Sequence, residues 1–149
     1  MNQCYWKAKI IPMIVLTRDM LSIEKEHDVI IFRNKVLEHA KKIDMSLLNQ
    51  TKLITAGSEL ARNMLKYAGG GRLIVETVQH LSQIGIRLIF EDKGPGIADV
   101  ALAMKDGYST GQTLGLGLPG AKRLSNEFDI TSKIGEGTKV TILRWKNGI

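Results

Sequence analysis

The sequence predicts an α+β fold, a two-layer α/β sandwich in which a mixed, mostly antiparallel sheet carries helices on one face. Strand-like segments occur in adjacent pairs, "RLIVETVQHL" with "IGIRLIFED" and "DITSKIG" with "TKVTILRW". Helical segments fall between these groups, so the predicted order is β-α-α-β-β-α-α-β-β. That order differs from the regular βαβ repeat that builds parallel sheets.

The first half of the chain contains a strand-like start and two long helices. Residues 1–20 are rich in β-branched and aromatic residues. Residues 27–45 have helical character, with Asp28 as a plausible cap. Residues 46–71 form a second helix that Ser46 caps and that Gly69–Gly71 ends. The apolar positions of this helix recur at intervals of three and four, which predicts one buried face.

The second half contains the two predicted hairpins and two short helices. The first hairpin covers residues 72–92 and turns near Ser82 and Gln83. One short helix, at residues 97–107, follows Pro95, and the other is predicted at residues 118–128 with Pro119 at its first position. The second hairpin closes the chain around "GEG".

Composition and charge limit the class of protein. The chain has 149 residues, 44% hydrophobic and 24% charged, which is typical of one soluble globular domain. Its single cysteine, Cys4, fits a reducing compartment, and no apolar run reaches membrane-spanning length. We therefore expect a cytoplasmic protein without a membrane partner. The net charge of +6 is scattered without interleaved aromatic residues, which argues against nucleic acid and favours an acidic protein or a nucleotide.

Two polar residues on the second helix form the first candidate group. Glu59 and Asn63 are four residues apart, so they share a helix face beside the apolar stripe. A carboxylate can act as a general base, and an amide oxygen suits Mg²⁺ that is shared with phosphates and water. The alternative is a pair of polar residues on a solvated helix side.

The second candidate group follows a predicted strand directly. In "EDKGPGI", Asp92 stands at the strand end with Gly94 and Gly96 beside it. A carboxylate in such a position can accept a hydrogen bond from an exocyclic amine such as that of adenine. The alternative is a turn in which aspartate and glycine serve the backbone.

The third group is the glycine-rich stretch before the last short helix. "GLGLPG" contains Gly115, Gly117 and Gly120, and bare amides at a helix start can bind an anion. A dinucleotide fold would place this motif after its first strand, and too little chain follows for its βα units. The P-loop motif and the eukaryotic protein-kinase motifs are absent from the sequence. The polar stretch "DGYSTGQTLGL" before it has the length and composition of a lid or of an ordinary surface loop.

The order of these groups resembles that of the Bergerat-fold (GHKL) ATPases, the superfamily of gyrase, the heat-shock chaperone and histidine kinases. Within it, "SELARN", "EDKGPGI", "DGYST", "GLGLPGAKRL" and "GEGT" are most similar to anti-sigma-factor serine/threonine kinases, and among these to the stressosome switch kinases (RsbT-type). The resemblance covers about residues 22–145, so the prediction divides the chain into an extension or extra strand at 1–20 and an ATPase/kinase domain at 21–149.

The resemblance implies a role for each candidate residue. Glu59 would be the catalytic base, and Asn63 would bind ATP through Mg²⁺. Asp92 would bind the adenine amine, with Thr138 behind it through water. The remaining ATP-binding residues would be glycines that shape the base pocket or form the lid over the phosphates: Gly94, Gly96, Gly111, Gly115 and Gly117.

The function that the resemblance implies is ATP- and Mg²⁺-dependent phosphorylation of a STAS-type antagonist protein in a bacterial sigma-factor or stress-response switch. A sigma factor or a regulatory phosphatase could be a further partner. Two alternatives remain open: a nucleotide-dependent binding module without transfer activity, and a detached histidine-kinase catalytic domain. His27, His39 and His80 lack metal-ligand spacing and are predicted to be solvated or capping residues.

Overall fold

In the computed structural model, which describes residues 2–6, 12–105 and 117–148, the strands form one antiparallel sheet in the order β1-β5-β6-β4-β3-β2. The strands are β1 (Asn2–Trp6), β2 (Ile14–Ile23), β3 (Gly71–His80), β4 (Gln83–Glu91), β5 (Glu127–Lys133) and β6 (Gly137–Trp145). The helices are α1 (Glu26–Lys42), α2 (Leu47–Ala68), α3 (Val100–Ala103) and α4 (Gly117–Arg123). The α+β fold class is therefore confirmed, and all described strand pairs are antiparallel.

The N-terminal part contributes more to the sheet than one strand-like start. β1 pairs with β5 at one edge, and β2 pairs with β3 at the other. β2 continues across the predicted division between residues 20 and 21 and remains paired as far as Ile23, opposite Gly71. The division into an extension and a domain stays a prediction.

Local signals fix α2 as predicted. The Ser46 hydroxyl accepts a hydrogen bond from the backbone N–H of Asn49 at 3.2 Å, and Gly69 ends the helix with a φ of 74°. Asp28 plays a different part in α1 from the predicted cap. It lies one turn inside the helix, and its carboxylate accepts hydrogen bonds from the backbone N–H groups of Glu24 and Lys25. This is the reciprocal half of a capping box, in which a side chain reaches back to the helix entrance.

The two late helices differ from their predicted bounds. α3 contains only four residues, with the Asp99 side chain accepting from the N–H of Leu102. α4 begins at Gly117, so Pro119 is its third residue rather than its first. Proline is tolerated there because the N–H groups of the first turn have no partner within the helix. Residues 127 and 128, predicted to be helical, begin β5 because Phe128 belongs to the inward face of the sheet.

The core lies between the sheet and the helices. α1 and α2 pack on one face through fully buried side chains such as Phe32, Leu53, Leu73 and Leu88. Gly57 lies in a tightly packed place on α2, because an added Cβ would stand 3.0 Å from the ring of Phe32 and 3.1 Å from the Leu88 side chain, and both would have to shift.

A buried guanidinium ties three elements together. Arg144 of β6 is 1% exposed and donates from Nε and Nη2 to Oδ1 of Asn49, at 2.9 and 2.6 Å. Its Nη1 donates to the carbonyl of Leu124, just after α4, at 3.1 Å. Burial lowers the pKa of Arg144, but a guanidinium stays charged in the physiological range. The first turn of α2 and the end of α4 therefore share one fixed cation.

Candidate nucleotide site

A cavity of about 500 Å³ opens between α2, the loop after β4, α3, the start of α4 and β6. Its polar lining comes from three of these parts: Asn63 and Tyr67 from α2, Asp92 and Asp99 from the loop, and Thr138 from β6. Its walls are apolar and include Leu60, Met64, Phe90, Ile97, Leu102 and Val140. A concave site with apolar walls and a few convergent polar groups is the usual form of a small-molecule site.

Asp92 is fixed at one end of this cavity by backbone donors. Its Oδ1 accepts from the N–H of Gly94 at 2.9 Å and from the N–H of Thr138 at 3.2 Å. Its own N–H donates to the carbonyl of Thr138 at 3.0 Å. Both bonds to the carboxylate use Oδ1, so the side chain is oriented through one oxygen. The carboxylate of Asp92, predicted from the sequence to lie at the strand end, is thus held in one orientation.

The two glycines of this loop are required by protein packing. An added Cβ at Gly94 would stand 2.6 Å from Cβ of Ala68 at the end of α2. Gly96 has a φ of 78°, and an added Cβ there would collide with the carbonyl of Lys133. Gly96 lines the cavity, whereas Gly94 acts on it through its bond to Asp92. The bare backbone lets the loop lie close to α2 and to the β5–β6 hairpin.

Glu59 stands next to the cavity at the start of α4. Its Oε1 accepts a hydrogen bond of 3.1 Å from the backbone N–H of Gly117, and Gly117 itself lines the cavity. Asn63, one turn further along α2, also lines the cavity. Glu59 and Asn63 therefore lie on the side of α2 that faces the cavity and α4, in keeping with the shared helix face that their spacing predicted.

The structure brings together five of the predicted nucleotide-binding residues as cavity lining: Asn63, Asp92, Gly96, Gly117 and Thr138. Gly94 and Glu59 contact that lining, as described. Gly111 and Gly115, predicted to belong to a lid, lie outside the described residues.

Two residues of the site were missed by sequence reasoning. Tyr67 lies four residues after Asn63 on α2, so the spacing that paired Glu59 with Asn63 could have found it. Ser132 is 1% exposed, and its Oγ lies 2.9 Å from Oγ1 of Thr138. Sequence reasoning could have found Ser132 because it is a polar residue at an inward-facing position of β5, where the alternation of the strand predicts an apolar side chain.

His39 differs from the predicted solvated histidine. It is 4% exposed, with Nε2 at 2.6 Å from Oδ2 of Asp19 and Nδ1 at 2.8 Å from Oγ1 of Thr77. It joins α1 to β2 and β3 and lies apart from the cavity. The hydrogen bond to His39, which outweighs the opposing effect of burial, lowers the pKa of Asp19.

The described residues contain neither a metal-binding cluster nor a membrane span. Within residues 12–105 and 117–148, no three histidine, cysteine or acidic side chains are grouped so that they could hold a metal ion. None of the helices in that part of the chain is long and apolar enough to cross a bilayer.

The fold and the cavity define an ATP-binding class. Residues 48–148 match the model of the "Histidine kinase-, DNA gyrase B-, and HSP90-like ATPase" family, to which the chain belongs. A catalytic domain of this class uses ATP.

The chain is a member of the RsbT-like serine/threonine-protein kinases within that family. It is 42% identical over 123 residues to the serine/threonine-protein kinase RsbT of Bacillus subtilis (strain 168), and this match covers 83% of the chain and 92% of the relative. The chain is thus an enzyme of the protein serine/threonine kinase class, which disfavours the histidine-kinase alternative.

A solved structure supports the fold. The crystal structure of the RsbU and RsbW domains of a Mycobacterium tuberculosis protein superposes with a TM-score of 0.57 at 17% identity. The superposition covers 89% of this chain and 32% of the other, so this chain spans about a third of that structure. At this identity the likeness concerns the fold alone.

Proposed function

We propose that this kinase binds Mg·ATP in the cavity and transfers the γ-phosphoryl group to a serine or threonine of a STAS-type antagonist protein in the cytoplasm. One observation carries the proposal: Asn63, Asp92 and Thr138, from separate elements, line one cavity, and Glu59 is hydrogen-bonded to its rim. Each of these residue types suits one part of a nucleotide-dependent transfer.

The end of the cavity at Asp92 suits the adenine ring. Oδ1 is held by two backbone N–H groups, and Oδ2 would accept from the exocyclic amine. Leu60, Met64 and Phe90 supply apolar surface for the faces of the ring. Burial of this surface offsets the loss of water around the base.

The Asn63 side of the cavity suits the phosphates and Mg²⁺. An amide oxygen is a neutral, hard ligand, and Mg²⁺ commonly takes only one or two protein ligands together with substrate phosphates and water. Asn63 would hold the ion, and the ion would neutralise charge on the phosphates. Gly111, Gly115 and Gly117 would belong to the segment that covers them.

Glu59 would act as the general base. In the transfer, the hydroxyl oxygen of the partner bonds to the γ-phosphorus, the bond from that phosphorus to the bridging oxygen of ADP breaks, and the hydroxyl proton passes to the Glu59 carboxylate. The products are the phosphorylated partner, ADP and a proton that Glu59 releases to solvent. Most of the rate enhancement in such transfers comes from positioning and charge stabilisation.

A second candidate function is a binding module in which nucleotide sets only the shape of the surface. The hydrogen bond between Glu59 and Gly117 favours this alternative, because it gives the Glu59 carboxylate a structural role at the start of α4 that does not require catalysis. In this alternative the chain would sequester a sigma factor or a regulatory phosphatase, with nucleotide controlling its affinity.

Transfer of labelled γ-phosphate to STAS proteins from the same genome tests the proposal. We expect one of them to be labelled on serine or threonine by the parent protein with Mg·ATP, and not by an Asp92→Asn variant at limiting ATP. Tight binding of a STAS protein, a sigma factor or a phosphatase without labelling would favour the binding module. A protein that binds no ATP would overturn both functions.

A further inference from the structure

Leu81 occupies the turn between β3 and β4 in a conformation that leucine rarely adopts. It is the first of the two residues between His80, which ends β3, and Gln83, which begins β4. Its φ is 54°, in the left-handed region where the Cβ of an ordinary side chain is crowded and where two-residue hairpin turns usually carry glycine or asparagine. The side-chain Nε2 of Gln79 donates to the Leu81 carbonyl at 3.0 Å within this turn. A leucine in this conformation costs folding stability that glycine would not cost.

The same residue has the most exposed large apolar side chain in the described parts of the chain. Leu81 is 82% exposed, so burial within the chain does not offset its backbone conformation. Single exposed apolar side chains are common on protein surfaces and need no explanation by themselves. Backbone strain in a bulky residue is different, because it is retained mostly where the residue acts on another molecule. The two observations together indicate that Leu81 has a partner outside this chain.

Further exposed apolar side chains lie at the same end of the sheet. Ile14 pairs with Gln79, two positions before Leu81, and is 65% exposed. Leu16 is 46% exposed on the same strand, β2. Within the described sheet β2 is an edge strand, so its outer side has no neighbouring strand. The turn and the start of β2 therefore present apolar side chains side by side.

The first turn of α2 adds two leucines at this end of the fold. Leu47 and Leu48 are exposed. Asn49, the next residue, donates from Nδ2 to the carbonyl of Lys146 at 3.1 Å, and the N–H of Lys146 donates to the carbonyl of Ile84, near the start of β4, at 2.8 Å. The helix start is thus joined to the end of the sheet that carries the β3–β4 turn. We call this end the distal end, and its exposed apolar side chains are Ile14, Leu16, Leu47, Leu48 and Leu81.

The distal end lies far from the nucleotide cavity. β4 is nine residues long and connects the turn at Leu81 to Asp92, so the two lie about 30 Å apart at roughly 3.4 Å per residue. Along α2, the rise from Leu48 to Asn63 is about 22 Å. A protein bound at the distal end would therefore leave the cavity open to ATP.

Basic side chains border the distal end. Lys41 and Lys42 lie in the last turn of α1, and Lys146 follows β6. Asp44 lies in the turn between α1 and α2, whereas Glu38 already pairs with Lys42 at 3.6 Å. Two copies that met through this end would bring their lysines together, and like charges across an interface are costly. The charge is complementary to an acidic surface, in keeping with the net charge of +6.

We propose that the distal end binds an acidic partner protein and that Leu81 is the anchor, inserted into an apolar pocket of that partner. The inference is independent of phosphoryl transfer in the cavity. The turn already fixes the backbone of the anchor, so binding orders little more than one side chain. A few anchors buried at the centre of an interface dominate its free energy. The chain thus keeps a residue that lowers its stability because the residue is needed in a complex.

The test measures stability and partner binding in the same set of full-length variants. The probes are purified STAS proteins, sigma factors and regulatory phosphatases from the same genome, chosen for net negative charge. Leu81→Gly suits the turn and removes the anchor, and Leu81→Asn does the same if the glycine variant does not fold. Leu81→Met keeps an apolar side chain of similar volume. Ile134→Gly is the matched control, since Ile134 is 62% exposed in the β5–β6 turn without a positive φ.

Leu81→Gly should change the two quantities in opposite directions. The equilibrium constant for folding, from urea unfolding, should rise about 2- to 5-fold because leucine no longer occupies the left-handed region. Calorimetric affinity for the acidic partner should fall about 10-fold or more because the anchor is gone. Leu81→Met and Ile134→Gly should keep affinity near that of the parent. ATP affinity should be parental in every variant, because the distal end is remote from the cavity.

Four results would overturn the proposal. The first is a Leu81→Gly variant that binds every probe as tightly as the parent, and the second is one that is less stable than the parent. The third is self-association of the parent, measured by light scattering, that Leu81→Gly abolishes, since the occupant would then be a second copy. The fourth is a parent that binds none of the acidic probes.

Discussion

Glu59 and Gly117 lie 58 positions apart in the sequence and are joined by a hydrogen bond from the Gly117 N–H to Oε1 of Glu59. The bond connects the side of α2 to the first residue of α4, where φ is 66°. One carboxylate can thus hold the start of α4 and stand beside the cavity. Two substitutions at position 59 separate this structural contact from the proposed removal of the hydroxyl proton of the partner.

Glutamine at position 59 separates the two roles of Glu59. Glu59→Gln keeps an oxygen that can accept from Gly117 but removes the base. Phosphoryl transfer should fall about 10²- to 10⁴-fold, while ATP affinity stays near that of the parent. Single-turnover transfer and calorimetry measure the two quantities.

Glu59→Ala is the companion variant, because it removes the base and the acceptor together. It should show the same loss of transfer, with a further change in ATP affinity if the bond to Gly117 orders the site. Unchanged transfer in Glu59→Gln would leave the enzyme intact and remove Glu59 as its base.

Asp92→Asn should weaken ATP binding about 10- to 150-fold. The substitution replaces a charged acceptor by an amide, and a hydrogen bond to a charged group contributes roughly 1.5–3 kcal/mol. Calorimetry of the folded variant measures the loss. Glu91→Gln is the control, since it removes a neighbouring charge that pairs with Arg72 at 3.0 Å outside the cavity lining. Parental affinity in Asp92→Asn would exclude Asp92 from the nucleotide site.

Asn63→Ala should lose the Mg²⁺-dependent part of ATP binding. Since Asn63 is the proposed protein ligand, Mg²⁺ should bind weakly without nucleotide and mainly through phosphates and water. Titration of ATP with and without Mg²⁺ separates the two parts, and Thr55→Ala on the exposed side of the same helix serves as control. A variant that binds Mg·ATP as tightly as the parent would show that the metal is held elsewhere.

Glu76 should support the sheet in a pH-dependent way. It is fully buried and accepts from Nε of Arg18 and Nε of Arg87, both at 2.8 Å. Burial alone would raise the pKa of Glu76, but the hydrogen bonds from the two arginines outweigh it and lower the pKa below its usual range. The stabilisation is therefore present above the unfolded pKa of about 4.3 and is lost as pH falls through the lowered folded pKa.

Urea unfolding at pH 7 and near pH 3 checks this linkage. Glu76→Gln should lower the free energy of unfolding at pH 7 by about 1–3 kcal/mol, since both arginines lose a charged acceptor and one of them faces an amide N–H₂ group instead of an oxygen. The deficit should shrink in acid. Glu38→Gln, which removes an exposed partner of Lys35, should change stability little. A deficit that is equal at both pH values would show that packing, rather than charge, is what Glu76 provides.

The sequence predicted best where local chemistry decides the outcome. The ends of α2 follow from Ser46 and Gly69, and the shared face of Glu59 and Asn63 follows from helical spacing. These signals involve residues within one or two turns of each other, so tertiary context seldom overrides them.

Contacts between distant elements were not predictable in the same way. His39 is buried because Asp19 and Thr77, from two strands, satisfy its ring, and neither partner is near it in the sequence. Ser132 likewise depends on Ile97 and Thr138. The number of strands before α1 also depends on pairing across the sheet, because β1 and β2 lie at opposite edges.

The buried Arg144 has a mechanical consequence for the cavity. Because its guanidinium binds Asn49 and the Leu124 carbonyl at once, withdrawing the end of α4 from α2 would leave the Nη1 group of a buried cation without its acceptor. The opposite end of α4 is held to α2 by the hydrogen bond from the Gly117 N–H to the Glu59 side chain. The helix is therefore anchored at its C-terminal end by a buried cation and at its N-terminal end by the carboxylate that is also the proposed base, so the position of α4 and the reactive side chain are coupled through one residue.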